Sequence, residues 1–377
     1  MNTLRHVRVP ALAVLLLPLP CLAQQASSPQ DVAACASIST DQLRLACFDA
    51  AVAGQRSPSA IEQADAAAAD GKQRIREEKA AGNDTGEHGG DLYAHDSARS
   101  ALANAGRGSL LDSRWELAQD SKLGTFGLRA YKPVYLLPAF WTSKLNTTPT
   151  SPNPANTVTT PQPLDRIEAK FQISLKTKIA QDLFGDNGDL WVGYTQVSHW
   201  QVYNSDISRP FRETDYEPEL LMVFRNSYHL LGWNGRMAAI GVVHQSNGRA
   251  DPLSRSWNRV IANIGLDREN WALTIRPWYR INESAKDDNN PDIEDYMGRA
   301  DATLVYKRGR QEFSLMGRHS LRGGDRSHGA LQFDWAFPIT SKLHGYVQIF
   351  DGYGESLIDY NHRATYVGAG VSLLEWF

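Results

Sequence analysis

The sequence has no uninterrupted apolar run of about 18 residues, so hydropathy offers no membrane-spanning helix. It also lacks a surplus of basic charge. A formal net charge of -3 over 377 residues, with 21% of them charged, leaves no basic domain of the kind nucleic-acid binding needs. Cysteine is scarce, with three in the whole chain. The Gly-x-Ser-x-Gly elbow of a soluble α/β-hydrolase is missing, which argues against a secreted esterase of that class. Glycine, aromatic residues and tryptophan are plentiful instead, in a chain long enough for one large barrel or two ordinary domains.

The first 23 residues read as a secretory signal. Arg5 and Arg8 form the basic region, Ala11 to Leu19 a short apolar core, and Cys21-Leu22-Ala23 a small-x-small site cut before Gln24. The bulky Leu19-Pro20 before Cys21 argues against a lipoprotein site. Export to an oxidising compartment leaves Cys35 and Cys47, an even pair that reads as a disulfide, with two free buried thiols as the alternative. Residues 24–112 are rich in Ala and polar residues and read as a periplasmic extension or linker. A short capped helix is expected over Ile38 to Phe48. Ala64 to Ala81 has too few large apolar residues to bury much surface and reads as a solvated helix or a disordered linker.

From residue 113 to residue 377 the pattern alternates with period two. Ile167, Ala169, Phe171, Ile173 and Leu175 share one face; Glu168, Lys170, Gln172, Ser174 and Lys176 share the other. Turn formers separate such runs at Gly185-Asp186-Asn187-Gly188, Asn234-Gly235 and Arg308-Gly309-Arg310. A soluble sandwich also alternates. Strand length, aromatics near strand ends (Tyr131, Trp141, Trp191, Trp200, Trp271, Trp278, Tyr279, Trp376) and a last strand ending in Phe377 favour an outer-membrane barrel. The pattern predicts an all-β fold, an antiparallel transmembrane β-barrel of roughly 12 strands. Charges of both signs on the inward face (Glu168, Lys170, Arg225, Arg276, Arg299, Asp301, Asp334) favour a filled interior over a narrow wet channel.

One stretch carries chemistry. His244 and Ser246 are two apart in a strand and point to one face. The turn-rich Asn247 to Pro252 reverses the chain, and a following strand brings Asn258 back beside His244. A hydroxyl, an imidazole and an amide oxygen in contact make a nucleophile, its base and an orienting group. The alternative is a polar hairpin tip with incidental Ser and His. Parity places the trio with Ile240, Val242, Val260 and Ala262, on the lipid side, where an ionisable His is costly without a purpose.

The motifs Gly193-Tyr194-Thr195-Gln196, Pro210 to Pro218, His244 to Arg249, Ser254 to Arg259, Asn290 to Ile293 and Gly352 to Asn361 occur in an order that resembles the outer-membrane phospholipase A family of Gram-negative bacteria. The resemblance runs from about Gly124 to Phe377. It implies a 12-stranded barrel that hydrolyses sn-1 and sn-2 acyl esters of phospholipids and lysophospholipids, depends on calcium and is activated by homodimerisation. Carried over by motif, Ser246 is the nucleophile, His244 the general base, Asn258 the orienting residue and the Gly248 amide an oxyanion donor. The Arg249 carbonyl, Ser254 and Ser208 of the partner subunit match calcium ligands. Asp288 is the expected further ligand, with Asn289 the alternative because the loop is longer than the family pattern. Asp251 is read as a weaker site in a lone subunit. Gln196 matches a residue facing the dimer partner; a lumen-facing glutamine is the other reading. The competing function is a non-enzymatic barrel, either a narrow channel or an inactive relative, which has no use for an outward Ser-His-Asn group.

Overall fold

The computed structural model describes residues 106–377 apart from Ser341. The signal, Cys35, Cys47 and nearly all of the 24–112 extension lie outside the described residues. The described chain begins with a short helix, α1 (Leu110–Trp115), capped by the Ser109 side chain. Thirteen strands follow: β1 (Leu128–Ala130), β2 (Val134–Thr142), β3 (Ile167–Ala180), β4 (Asp189–Trp200), β5 (Phe211–Leu230), β6 (Trp233–Ser246), β7 (Ser256–Arg268), β8 (Trp271–Ile281), β9 (Ala300–Arg308), β10 (Gln311–His319), β11 (Gly329–Pro338), β12 (His344–Tyr353) and β13 (Arg363–Leu374). A second short helix, α2 (Ile293–Met297), lies between β8 and β9.

All pairings are antiparallel, and β13 closes on β2. The result is the expected barrel of 12 strands, β2 to β13. The short β1 runs along the same edge of β3 as β2, pairing with Leu175 to Thr177, while β2 pairs with Ile167 to Gln172. β1 and β2 are thus one barrel strand, interrupted near Pro133, which has no N–H for the ladder. There the ladder is patched by side chains: Ser174 Oγ accepts from the Lys132 N–H, and Gln172 donates to the Pro133 carbonyl.

Connections at one end are short. β5 and β6 are joined by Leu231-Gly232, with φ of 51° and 82°, the left-handed pair a tight hairpin needs. The turn therefore precedes the expected Asn234-Gly235, which lies inside β6 with the Tyr228 ring packed over Gly235. At the other end the connections are long, spanning 143–166, 201–210, 247–255, 282–299, 320–328 and 354–362. Long loops mark the outside of an outer-membrane barrel and short turns the periplasmic side.

The interior is filled by charge pairs and two apolar clusters. Lys170 meets Glu355 at 2.6 Å, His199 meets Glu168 at 2.9 Å, Arg259 meets Glu217 at 3.0 Å and Arg276 meets Glu219 at 3.3 Å. A central cavity of about 250 Å³ remains. Arg299 lies just before β9, paired with Asp295. Leu111 and Trp115 of α1 pack against Tyr131, Trp191 and Met237, in an inner cluster that reaches Trp257 near the outer end. Chain from at least Leu110 onward is part of the barrel's packing. The outer mouth is stoppered by the β12–β13 connection, where Leu357 and Tyr360 are fully buried.

The aromatic girdle is real but composed differently from the expectation. Trp271, Tyr306, Phe313 and Trp335 stack across β8 to β11 near the short-turn end. Tyr131, Trp191 and Trp278 instead point inward and are buried, and Trp376 lines the central cavity. The final strand stops at Leu374. The Trp376 and Phe377 N–H groups donate to Glu312, and Phe377 packs against the inner cluster.

Candidate active site

The site stands on the outward edge where β6 and β7 leave the sheet. His244 is directly opposite Asn258 in the ladder, and Ser246 is opposite Ser256. Along β6 the buried positions are Met237, Ala239 and Val243, while Ile240, Val242 and His244 are exposed. His244, Ser246 and Asn258 therefore face the lipid side together, on a strand pair whose other face is core.

His244 Nδ1 lies 2.8 Å from Asn258 Oδ1. An amide oxygen only accepts, so Nδ1 carries the proton and Nε2 is left as the basic nitrogen. Ser246 is two residues along on the same face. Among the described residues no hydrogen bond joins its hydroxyl to the imidazole. Catalytic contacts of this kind are often open before substrate arrives.

Gly248 follows with φ of 62°. A Cβ there would meet the Tyr216 ring at 3.2 Å, so both backbone and space favour glycine. Its N–H has no acceptor among the described residues and is free for a ligand. Asn247, which sequence reasoning passed over, holds the turn in place. Its Nδ2 donates to Glu213 at 2.9 Å and to the Leu253 carbonyl at 2.8 Å, and its Oδ1 accepts from the Arg255 N–H at 3.0 Å. Glu283 was also missed. Its Oε1 accepts from Asn258 Nδ2 at 3.0 Å. Parity carries the signal that would have found it, since Ile281 pairs with Asn258 and Glu283 is two residues further on.

The expected cation ligands are oxygens near this turn. The Arg249 carbonyl and the Ser254 hydroxyl make no hydrogen bond to a described residue. Asp251 Oδ1 accepts from Asn156 at 2.7 Å, and the same amide reaches the Ser254 carbonyl at 3.3 Å. Asp288 is turned inward: its Oδ1 takes Arg280 at 2.7 Å and the Asn290 N–H at 3.1 Å. Neutralised by Arg280, it is a poor match for the expected ligand. Asn289, the alternative, is half-buried, and its Oδ1 accepts from the Ser256 hydroxyl at 3.4 Å. Ser208 lies on the exposed β4–β5 connection, where Ser208 and Arg209 are both left-handed, with φ of 58° and 55°. The Trp200 indole N–H holds the Arg209 carbonyl at 2.9 Å. Among the described residues no cluster of three or more His, Cys, Asp or Glu could hold a metal; the candidate donors here are hydroxyl, carbonyl and amide oxygens.

Gln196 points outward near the middle of β4, not into the lumen. Tyr194 donates to its Oε1 at 3.0 Å, and its Nε2 donates to Ser198 at 3.2 Å.

Residues 111–373 match the phospholipase A1 family. The chain is similar to the phospholipase A1 of Klebsiella pneumoniae, 39% identical over 271 residues, 72% of this chain and 89% of that one. It is similar to the phospholipase A1 of Escherichia coli K12, 41% identical over 210 residues, 56% of this chain and 71% of that one. Among solved structures it resembles the Salmonella typhi outer membrane phospholipase dimer with bound calcium. That match has a TM-score of 0.60 and 38% sequence identity, and covers 67% of this chain and 94% of that chain.

Proposed function

This chain belongs to the phospholipase A1 family, and from that membership we propose that it hydrolyses acyl esters of phospholipids still in the bilayer, with Ser246 as nucleophile. It is a phospholipase of the outer membrane, embedded through its 12-stranded barrel. The observation that carries the reading is the 2.8 Å contact between His244 and Asn258 on the lipid-facing wall. A pore has no use for an oriented imidazole on its outside, and an ionisable group on the lipid-facing wall is costly without a purpose.

His244 Nε2 takes the Ser246 proton as the hydroxyl oxygen attacks the ester carbonyl. The tetrahedral oxyanion meets the Gly248 N–H. The imidazolium, held by Asn258, returns the proton to the leaving glycerol oxygen, and water then releases the fatty acid from Ser246 by the same path in reverse. The nucleophile stands on an open wall rather than in a closed pocket, which supports action on both the sn-1 and sn-2 esters and on lysophospholipids.

The donor set fits calcium, a hard cation that takes oxygen ligands. Arg249 through its carbonyl and Ser254 through its hydroxyl would hold it, with Ser208 of the partner subunit and Asn289 completing the shell. Asp251 is a weaker ligand in the lone chain. When bound, calcium supplies positive charge beside the developing oxyanion. Such a shared set makes the dimer the active form. Gln196, an uncharged polar group at mid-membrane, gains by pairing with its own copy across a two-fold interface. Refolded protein in detergent, given phospholipid with calcium or with chelator, tests this. Fatty acid release confined to the calcium sample supports the reading, and equal release in both removes calcium from it.

A further inference from the structure

An asparagine side chain can be seated two ways, because its oxygen and nitrogen ends have nearly the same shape. Only one seating serves His244. With Oδ1 toward the ring, Nδ1 keeps its proton and Nε2 is free to accept one. With the amide reversed, its NH₂ faces Nδ1, the ring proton moves to Nε2, and that nitrogen can no longer take a proton from Ser246. Something must exclude the reversed seating.

Glu283 is placed to do so. Strand β8 runs beside β7 with Ile281 opposite Asn258. Tyr279 and Ile281 are on the exposed face of β8, and Glu283, two residues beyond, follows the same parity. Its Oε1 lies 3.0 Å from Asn258 Nδ2, on the far side of the amide from His244. An ionised carboxylate accepts hydrogen bonds and donates none, so it tolerates the NH₂ end and rejects the oxygen end.

We propose that Glu283 is a positioning residue of the reaction: by accepting from Asn258 Nδ2 it fixes the amide with Oδ1 toward His244. The proposal rests on the Ser-His-Asn reading of the site. Glu283 touches neither substrate nor Ser246 and acts through Asn258 alone.

Steady-state hydrolysis of phospholipid by the refolded, calcium-supplied protein in detergent tests it. Glu283→Ala should lower kcat about tenfold with KM unchanged, since the imidazolium exists only beyond the ground state. Glu283→Gln keeps the shape but can also donate, so it should fall between the parent and the Ala variant. In an Asn258→Ala background the same Glu283 changes should do nothing further, because the group they act through is gone. Heat-modifiable migration on gels reports that each variant is folded, and the near-isosteric Gln variant covers failure of the Ala one. Ser246→Ala, run beside them, separates the two claims. If it still turns over, the triad itself is wrong. If it is silent while both Glu283 variants keep full kcat, lose it equally in both backgrounds, or change KM alone, the Glu283 assignment is overturned and the triad stands.

Discussion

His244 and Asn258 face each other across β6 and β7 without offset, and Nδ1 and Oδ1 are 2.8 Å apart. The strand ladder, and not a loop, thus sets the base and its orienting group in register. A neutral hydrogen bond of this kind contributes about 0.5–1.5 kcal/mol, which corresponds to about tenfold in rate or less. Asn258→Ala should therefore retain measurable hydrolysis, reduced by about that factor in kcat. A loss as complete as that of the nucleophile would mean Asn258 does more than orient the ring.

Gly248→Ala should fold and lose activity. A left-handed φ costs an L-residue roughly 1–2 kcal/mol, and the added methyl presses on Tyr216. Displacing one oxyanion donor typically costs about 10²- to 10³-fold in kcat. Wild-type kcat in a folded Gly248→Ala barrel would remove this amide from the mechanism.

Calcium and association should be one linked equilibrium, because the proposed ligands come from two chains; each then strengthens the other by the same factor. With few anionic ligands the affinity should be modest, roughly 10⁻⁴ to 10⁻³ M. Crosslinking in detergent should show more dimer with calcium than with chelator, and Ser254→Ala should move the activity and dimer curves together to higher calcium. Calcium-dependent activity with an unchanged dimer fraction would break the link.

Arg212 joins the lumen wall to the mouth. It meets Glu168 and Asp359, each at 2.8 Å, and is mostly buried. Removing one partner from a buried ion pair costs about 3–5 kcal/mol. Arg212→Ala should lower the urea midpoint in detergent and loosen the 354–362 connection, read as faster proteolysis there. An unchanged midpoint would show that the charge network fills space without holding the mouth.

The barrel and the face of the trio were legible because both depend on period two alone: His244, Ser246 and Asn258 share the parity of Val242 and Val260. What was misread depends on information that composition does not carry. Tyr131, Trp191 and Trp278 were counted as girdle residues for their type, although Trp191 has the parity of Thr195, a lumen residue. The hairpin at Leu231-Gly232 was missed because a leucine at positive φ has no turn signature, whereas Asn234-Gly235 has a strong one and is strand. The Arg280 partner of Asp288, eight residues away across a strand end, is likewise invisible to composition. Glu283 lies past the end of β8, where alternation is no longer assumed.

The central claim is that Ser246 forms and breaks the acyl bond on the outside of the barrel. The direct measurement is fatty acid release from phospholipid by refolded Ser246→Ala beside the parent protein, with calcium, and with heat-modifiable migration as the fold control. The account predicts a variant that folds identically and releases fatty acid about 10⁶-fold more slowly, the scale seen when a serine nucleophile is removed from a triad. Turnover of the folded variant at the parent's rate would contradict it.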